Sequence, residues 1–312
     1  MKLFTKICLI LSLMCACIGA VSLCAGIALG SGVEEVMAMA DAGDLDIGNW
    51  HIAKWNFYYN PFEDDTAYTK IQKGMIEESF AADEITELEI DIKYGEVLFT
   101  DSDTDDITIT VDAPKRNVYV YNVKGGTLEF MDETPGRYWK QGAKRDVEIT
   151  IGIPKGKSFE SVDLTTDYGM IDVEHVIFAE DVEIGLGAGE VQARKLTAGS
   201  DFSVEVGAGN LMIEQFDARA LEIDCGIGKA ELYGTVLEDV DAKCGIGQIV
   251  LGLKGKEEDY DYMVNCDLGT TSINDKEYSA LSEHREIDND AGREISLDCG
   301  IGKIELMVEE EL

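Results

Sequence analysis

Leu221-Glu222-Ile223-Asp224-Cys225-Gly226-Ile227-Gly228-Lys229-Ala230-Glu231-Leu232 carries the pattern from which the rest of the chain can be read. Apolar residues alternate as far as Cys225, two glycines bracket Ile227, and alternation resumes with Ala230 and Leu232. Successive residues of a strand face opposite sides of a sheet, so its inward residues share one parity. Here that parity changes across the glycines: Cys225 and Ile227 are odd, Ala230 and Leu232 even. The chain must bend there, and glycine tolerates the angles a corner demands. On this reading Ile227 belongs to the inward set.

The block recurs. Val240, Ala242 and Cys244 lead to Ile246 and then to Ile249 and Leu251; Ile295, Leu297 and Cys299 lead to Ile301, Ile304 and Leu306. Earlier versions are Val182, Ile184, Leu186 with Val191, and Phe202, Val204, Val206 with Leu211 and Ile213. Leu88, Ile90, Ile92 and Val162, Leu164, Thr166 open two more, and Asp267-Leu268-Gly269 is a variant corner after Cys266. Leu186, Val206, Cys225, Cys244 and Cys266 follow one another at roughly twenty-residue steps, the length of one solenoid coil. A single rung cannot bury its own apolar face and must stack on neighbours. The expected fold is all-β, a parallel β-solenoid (a single-stranded β-helix) after one N-terminal transmembrane helix. A dinucleotide-binding reading of the glycines fails, because no G-x-G-x-x-G occurs and no helical run follows. Two segments interrupt the repeat: the alternating stretches between Ile92 and Val162, and a polar excursion from about Asn274 to Arg293 expected to loop out.

Ahead of the solenoid, Ile7–Gly30 holds no charged residue and follows Lys2 and Lys6. As a helix it spans roughly 36 Å, enough to cross a ~30 Å hydrocarbon core. Basic residues before it and acidic ones after it place the N-terminus inside and the solenoid outside. Ala38-Met39-Ala40 offers an alternative, a signal-peptide cleavage after Ala40. The division is then residues 1–30 as membrane anchor, 31–83 as a juxtamembrane or capping segment, and 84–312 as the solenoid. Trp50, Trp55, Phe57, Tyr58 and Tyr59 in the middle segment read equally as interfacial aromatics or as a cap over the first rung.

The formal charge of −36 repels phosphate backbones and argues against nucleic acid as a partner, leaving divalent cations and basic partners open. The charge identifies no site. Cys225, Cys244, Cys266 and Cys299 share the slot that Leu186 and Val206 fill, which reads as core packing; a line of thiols does not supply the tetrahedron that zinc requires. Neighbouring rungs also hold Cβ atoms ~4.8 Å apart, beyond ordinary disulfide geometry. Cys8, Cys15, Cys17 and Cys24 are apolar filler of the membrane span. Asp101-Ser102-Asp103-Thr104-Asp105-Asp106 starts like a calcium loop, but Asp106 stands where the EF-hand glycine belongs, so a solvated acidic turn is expected. His51, His175 and His284 are read as surface residues with no ligand spacing. No catalytic residue, cofactor-binding residue, cofactor or metal ligand is assigned.

The blocks Glu258-Asp259-Tyr260-Asp261-Tyr262, Cys266-Asp267-Leu268-Gly269, Ser272-Ile273-Asn274 and Asp298-Cys299-Gly300-Ile301-Gly302-Lys303-Ile304-Glu305-Leu306 resemble the closing part of a bacterial domain-of-unknown-function family labelled "putative adhesin". The resemblance covers residues 84–308 and the general layout of the anchor. It implies a single-stranded β-solenoid at the cell surface, and no established activity. The expectation for function is a non-enzymatic surface module, held in the cytoplasmic membrane through residues 7–30, that binds or scaffolds an envelope component, protein or glycan. The alternatives are an envelope-stress regulatory partner of a membrane signalling protein and a carbohydrate-active β-helix enzyme.

Overall fold

The computed structural model describes residues 69–72, 76–114, 117–134, 147–274, 276–278 and 283–310. The expected membrane span at 7–30, Ala40, His51 and the aromatic group from Trp50 to Tyr59 lie outside them. Among the described residues no helix is long and apolar enough to cross a membrane. The described chain is strand throughout except for turns and a 3-10 turn at Glu257–Asp259.

Each rung has two strand segments that meet at a corner, and one slot just before the corner identifies it. That slot holds Ile92, Thr166, Leu186, Val206, Cys225, Cys244, Cys299 and Cys266, each in parallel register with the next. The early rungs run unbroken through the corner, as in Glu87–Asp101, Ser158–Val173 and Ile177–Ala193. Later ones split at the glycines, as in Ala220–Cys225 followed by Lys229–Val236. The alternation read from the sequence is the burial pattern: Leu221, Ile223, Cys225, Ala230 and Leu232 are all buried. Each large aliphatic side chain so placed contributes about 1.5–3 kcal/mol through removal from water.

The second glycine of each corner is fixed by the stacking distance. A Cβ on Gly228 would stand 2.2 Å from the carbonyl oxygen of Gly209, and one on Gly302 would stand 2.2 Å from that of Gly247. Both are far inside contact distance, so only glycine allows the backbones to approach this closely.

Stacking follows sequence order as far as Cys244 and then departs from it. The C-terminal rung, Glu294–Cys299 with Lys303–Glu309, pairs on one side with Val240–Cys244 and Gln248–Lys254, and on the other with Asp261–Cys266 and Thr270–Ile273. The slot order is therefore Cys225, Cys244, Cys299, Cys266, with the last two reversed relative to the chain. After Lys254 the chain steps over one rung position, lays down the Cys266 rung, and returns to fill the gap last. The step is held by Gly255 N–H on Glu309 C=O at 2.8 Å and by Tyr260 Oη on Val236 C=O at 3.1 Å. The polar excursion does not simply loop out. Lys276–Tyr278 and Glu283–Ile287 pair antiparallel with Thr270–Ile273 and Asp261–Cys266, forming a last layer beyond the Cys266 rung.

The opposite end is also closed by antiparallel layers. Thr127–Asp132 and Glu148–Ile153 add in parallel to the two halves of the Ile92 rung. Val118–Lys124 and Asp106–Asp112 then pair antiparallel with them, and Thr69–Gln72 and Ile76–Ala81 pair antiparallel beyond. The stretch expected to interrupt the stack thus extends it, while the Ile92 and Thr166 rungs touch directly.

The corner residues themselves correct the reading that placed Ile227 inward. Ile246 is 39% and Leu268 47% exposed, with Ile227 and Ile301 half-buried. The bend completes its turn at the first glycine, so the residue between the glycines points away from the core.

Candidate functional site

In-register stacking converts the polar residues between the apolar triplets into columns on one flat face. One column runs Glu129, Glu89, Asp163, Glu183, Ser203, Glu222, Asp241. Beside it runs Asp91, Thr165, Gly185, Glu205, Asp224, Lys243, Asp298. Carboxylates on directly opposed strand positions repel across roughly 5 Å, and partial burial weakens the water that would screen them. Burial pushes Glu89 up to about 7, with Glu129, Asp163, Asp91 and Glu87 adding repulsion. Burial likewise raises Asp163 to about 6, with Glu183 adding, and Asp167 to about 6, with Asp91 adding. Asp91 rises to about 6 by burial; Lys93 opposes the shift while Asp132, Asp163 and Glu133 reinforce it. Farther along, burial raises Glu205 with help from Asp224, and raises Asp224 against the pull of Lys243. Lys243 itself binds Glu222 at 3.2 Å and Asp241 at 2.9 Å. The ladder is a fixed, closely spaced array of carboxyl groups whose negative charge grows as pH rises through 6 to 7, suited to gathering cationic groups by field rather than by enclosure.

Asp132 continues the inward slot column beyond Ile92 and is 1% exposed. Its Oδ1 accepts the Thr134 N–H at 2.9 Å, its Oδ2 has no partner among the described residues, and burial pushes its carboxyl up to about 6. A carboxyl where other rungs place Ile, Val or Cys carries a burial cost, which hydrogen bonding from Thr134 and the Lys93 charge offset in part.

His175 corrects the surface reading, being 3% exposed. Its Nδ1 lies 2.7 Å from Asp101 Oδ1, and Lys155 Nζ lies 3.1 Å from Asp101 Oδ2. His175 and then Lys155 hold the Asp101 carboxyl below the usual range. His175 Nε2 is buried without a partner among the described residues, and no nucleophile is within hydrogen-bonding reach of it. The acidic turn does not gather its carboxylates. Asp101 turns to His175, Asp106 accepts from Ser79 Oγ at 2.7 Å, and Ser102 and Thr104 bond each other. His284 is exposed and lies 2.6 Å from Asn265 Oδ1 through Nδ1.

Cys225, Cys244, Cys299 and Cys266 are buried free thiols in consecutive rungs. The Cys225 thiol beside it, with burial adding, pushes Cys244 up to about 12, while the same contact holds the Cys225 thiol below its ordinary value. Among the described residues no group of three or more His, Cys, Asp or Glu is placed to hold a metal ion. A shallow groove of about 180 Å³ crosses the second face, lined by Asp172, Glu174, Gln192, Arg194, Met212 and Glu214 among others. It joins carboxylates to one guanidinium, but its lining has no aromatic ring against which a sugar would stack.

Sequence reasoning saw the acidity and missed the ladder. The available signal was the polar residue at the centre of each triplet, Glu89, Asp163, Glu183 and Glu222, which stacking in register must superimpose.

Several solved structures align with most of this chain at low identity. A "putative adhesin" from Bacteroides fragilis is 15% identical, with a TM-score of 0.41 over 76% of this chain and 99% of that one. A "putative cell adhesion protein" from Clostridium sporogenes is 11% identical, with a TM-score of 0.30 over 78% and 100%. A "putative lipid binding protein" from Parabacteroides distasonis is 13% identical, with a TM-score of 0.35 over 74% and 95%. None of the curated proteins compared with the chain matches it. The Toastrack DUF4097 family matches residues 85–278, which include the ladder, most of the parallel rungs and three of the four stacked thiols. The chain belongs to the Toastrack DUF4097 family.

Proposed function

We propose that the protein is a non-enzymatic cell-surface module that presents its carboxylate ladder to a cationic envelope component, a basic protein segment or an amino-bearing glycan. Residues 7–30 anchor it in the cytoplasmic membrane, with the N-terminus inside and the β-stack outside. The reading is carried by one observation: Glu129, Glu89, Asp163 and Glu183 lie in consecutive rungs of one flat face. A flat charged face binds by matching a spaced array of opposite charge, and its affinity falls steeply with salt. The anchor is supported by the uncharged run Ile7–Gly30 behind Lys2 and Lys6.

The test is binding of a fluorescent oligolysine to the full chain in neutral-lipid proteoliposomes, as a function of ionic strength. Wild type is expected to bind with a steep salt dependence. The triple variant Glu89→Gln, Asp163→Asn, Glu183→Gln should weaken binding at least tenfold, while Glu277→Gln, Glu286→Gln, Asp288→Asn, with the same charge change at the far end, leaves it within twofold. Equal losses for the two triples would mean that net charge alone binds the probe, and the ladder would lose its role.

A further inference from the structure

The corner that points outward forms a continuous ridge. Ile227, Ile246, Ile301 and Leu268 stack in that order, linked by Ile246 N–H on Gly226 C=O at 2.8 Å, Ile301 N–H on Gly245 C=O at 2.7 Å and Leu268 N–H on Gly300 C=O at 2.8 Å. Four aliphatic side chains thus stand in line over about 14 Å at the ~4.8 Å strand spacing. On a protein this acidic such a stripe is out of character with its surroundings.

The columns on either side of the ridge differ in charge, rung by rung. Asp224, Lys243, Asp298 and Asn265 run along one flank. Lys229, Gln248, Lys303 and Thr270 run along the other. Each rung therefore reads across the corner as acid, Ile227, Lys229; then Lys243, Ile246, Gln248; then acid, Ile301, Lys303.

We infer that the ridge is the contact by which two copies of this chain pair side by side, related by a two-fold axis parallel to the stack. That operator sets every rung against the same rung of the second copy and exchanges the flanks. Asp224 then meets Lys229, Asp298 meets Lys303, and Lys243 meets Gln248. The Asp–Lys matches occur in two rungs and twice each by symmetry, giving four opposite-charge contacts per pair. An antiparallel two-fold through the ridge centre opposes like flanks and yields only the Lys243–Asp298 match, twice. Lys229 and Lys303 also hold Glu231 and Glu305 on their own strands, and three donors per ammonium leave capacity for the second copy. The ridge is well below the ~800 Å² per partner of a stable complex, so pairing is weak in bulk and strengthened where copies share a surface. Its parallel sense suits copies anchored in one membrane, although the contact itself does not rest on that anchor.

The test uses the full chain in proteoliposomes, with Cys8, Cys15, Cys17 and Cys24 replaced by Ala and single cysteines introduced at Ile227, Ile246 or Met212. Met212 is 42% exposed and lies on the flat face beyond the corner, so it reports random collision. Under mild oxidation Ile227→Cys and Ile246→Cys are expected to form disulfide-linked dimers at least tenfold faster than Met212→Cys. Adding Ile246→Glu should abolish the Ile227→Cys dimer while leaving the thermal midpoint within 2 °C. Equal rates at the three positions would overturn the proposal. So would an Ile227→Cys protein that cross-links only to a Leu268→Cys partner, since that geometry is antiparallel. Dimers of Ile227→Cys that form equally fast with Ile246→Glu present would also overturn it.

Discussion

Raising the pH from 5 to 8 should weaken the stack, the reverse of ordinary acid lability. Glu89, Asp91, Asp163 and Asp167 have folded-state pKa values of about 7, 6, 6 and 6. The same groups titrate near 4 in an unfolded chain. Between those values the folded state binds more protons than the unfolded one, so stability is full below about pH 4 for these groups and is lost as pH rises through 6 to 7. A shift of about two units is worth ~3 kcal/mol for one fully buried group. These four are partly exposed and share their repulsion with Glu129, Glu183, Glu87, Glu133 and Asp132, with Lys93 as the nearby cation. Screening and coupling therefore reduce the total to roughly 4 kcal/mol rather than the sum. Asp101, held by His175 and Lys155, and Asp261, held by the Asn289 and Ala291 N–H groups, have lowered pKa values and lose their contribution at lower pH. The stability maximum should fall near pH 5. Urea unfolding of the full chain at pH 5, 6, 7 and 8 checks this, and Glu89→Gln with Asp163→Asn should flatten the profile by about half. Stability that climbs from pH 5 to 8 would refute the burial and register assigned to the ladder.

Cys244→Val should fold with a midpoint close to wild type, because Val206 fills the equivalent slot, whereas Cys244→Asp buries an unpaired carboxylate and should cost several kcal/mol in chemical denaturation. Gly302→Ala should be worse than Gly292→Ala: the first drives a Cβ to 2.2 Å from a carbonyl oxygen, the second meets open space and carries only a left-handed φ of +69°, costing about 1 kcal/mol. Leu306→Ala, in the rung inserted last, should cost about 3 kcal/mol and raise hydrogen exchange in 261–274 before 240–254, since the strands of the Cys266 rung pair with the main stack through it.

What the sequence disclosed and what it withheld follow from the same period. Leu221, Ile223 and Cys225 announce a strand because alternate burial is written into alternate residues. The order of rungs is not so written: Cys299 and Cys266 present interchangeable apolar slots, and either satisfies the edge left by Cys244. The choice falls to long-range features, the length of the excursion and the anchoring of Asp261 by Asn289 and Ala291. Ile227 was misplaced because parity counts run on through a corner, whereas the bend resets them at Gly226. His175 gave no local sign of burial, since its partner Asp101 is 74 residues away and arrives only when the Ile92 and Thr166 rungs pair. The ladder was legible in principle, as Glu89, Asp163 and Glu183 occupy equivalent positions of their triplets; reading it required treating the polar residues as a column of their own.

The claim that the ladder works outside the membrane is tested most directly by protease treatment of intact, wall-stripped cells expressing the full chain with a C-terminal epitope. The account predicts that the epitope disappears while a peptide containing residues 7–30 stays with the membrane. An epitope protected until the cells are lysed would place the stack on the inner side and contradict the account, and release of the whole stack into the medium before any protease is added would replace the anchor with cleavage after Ala40.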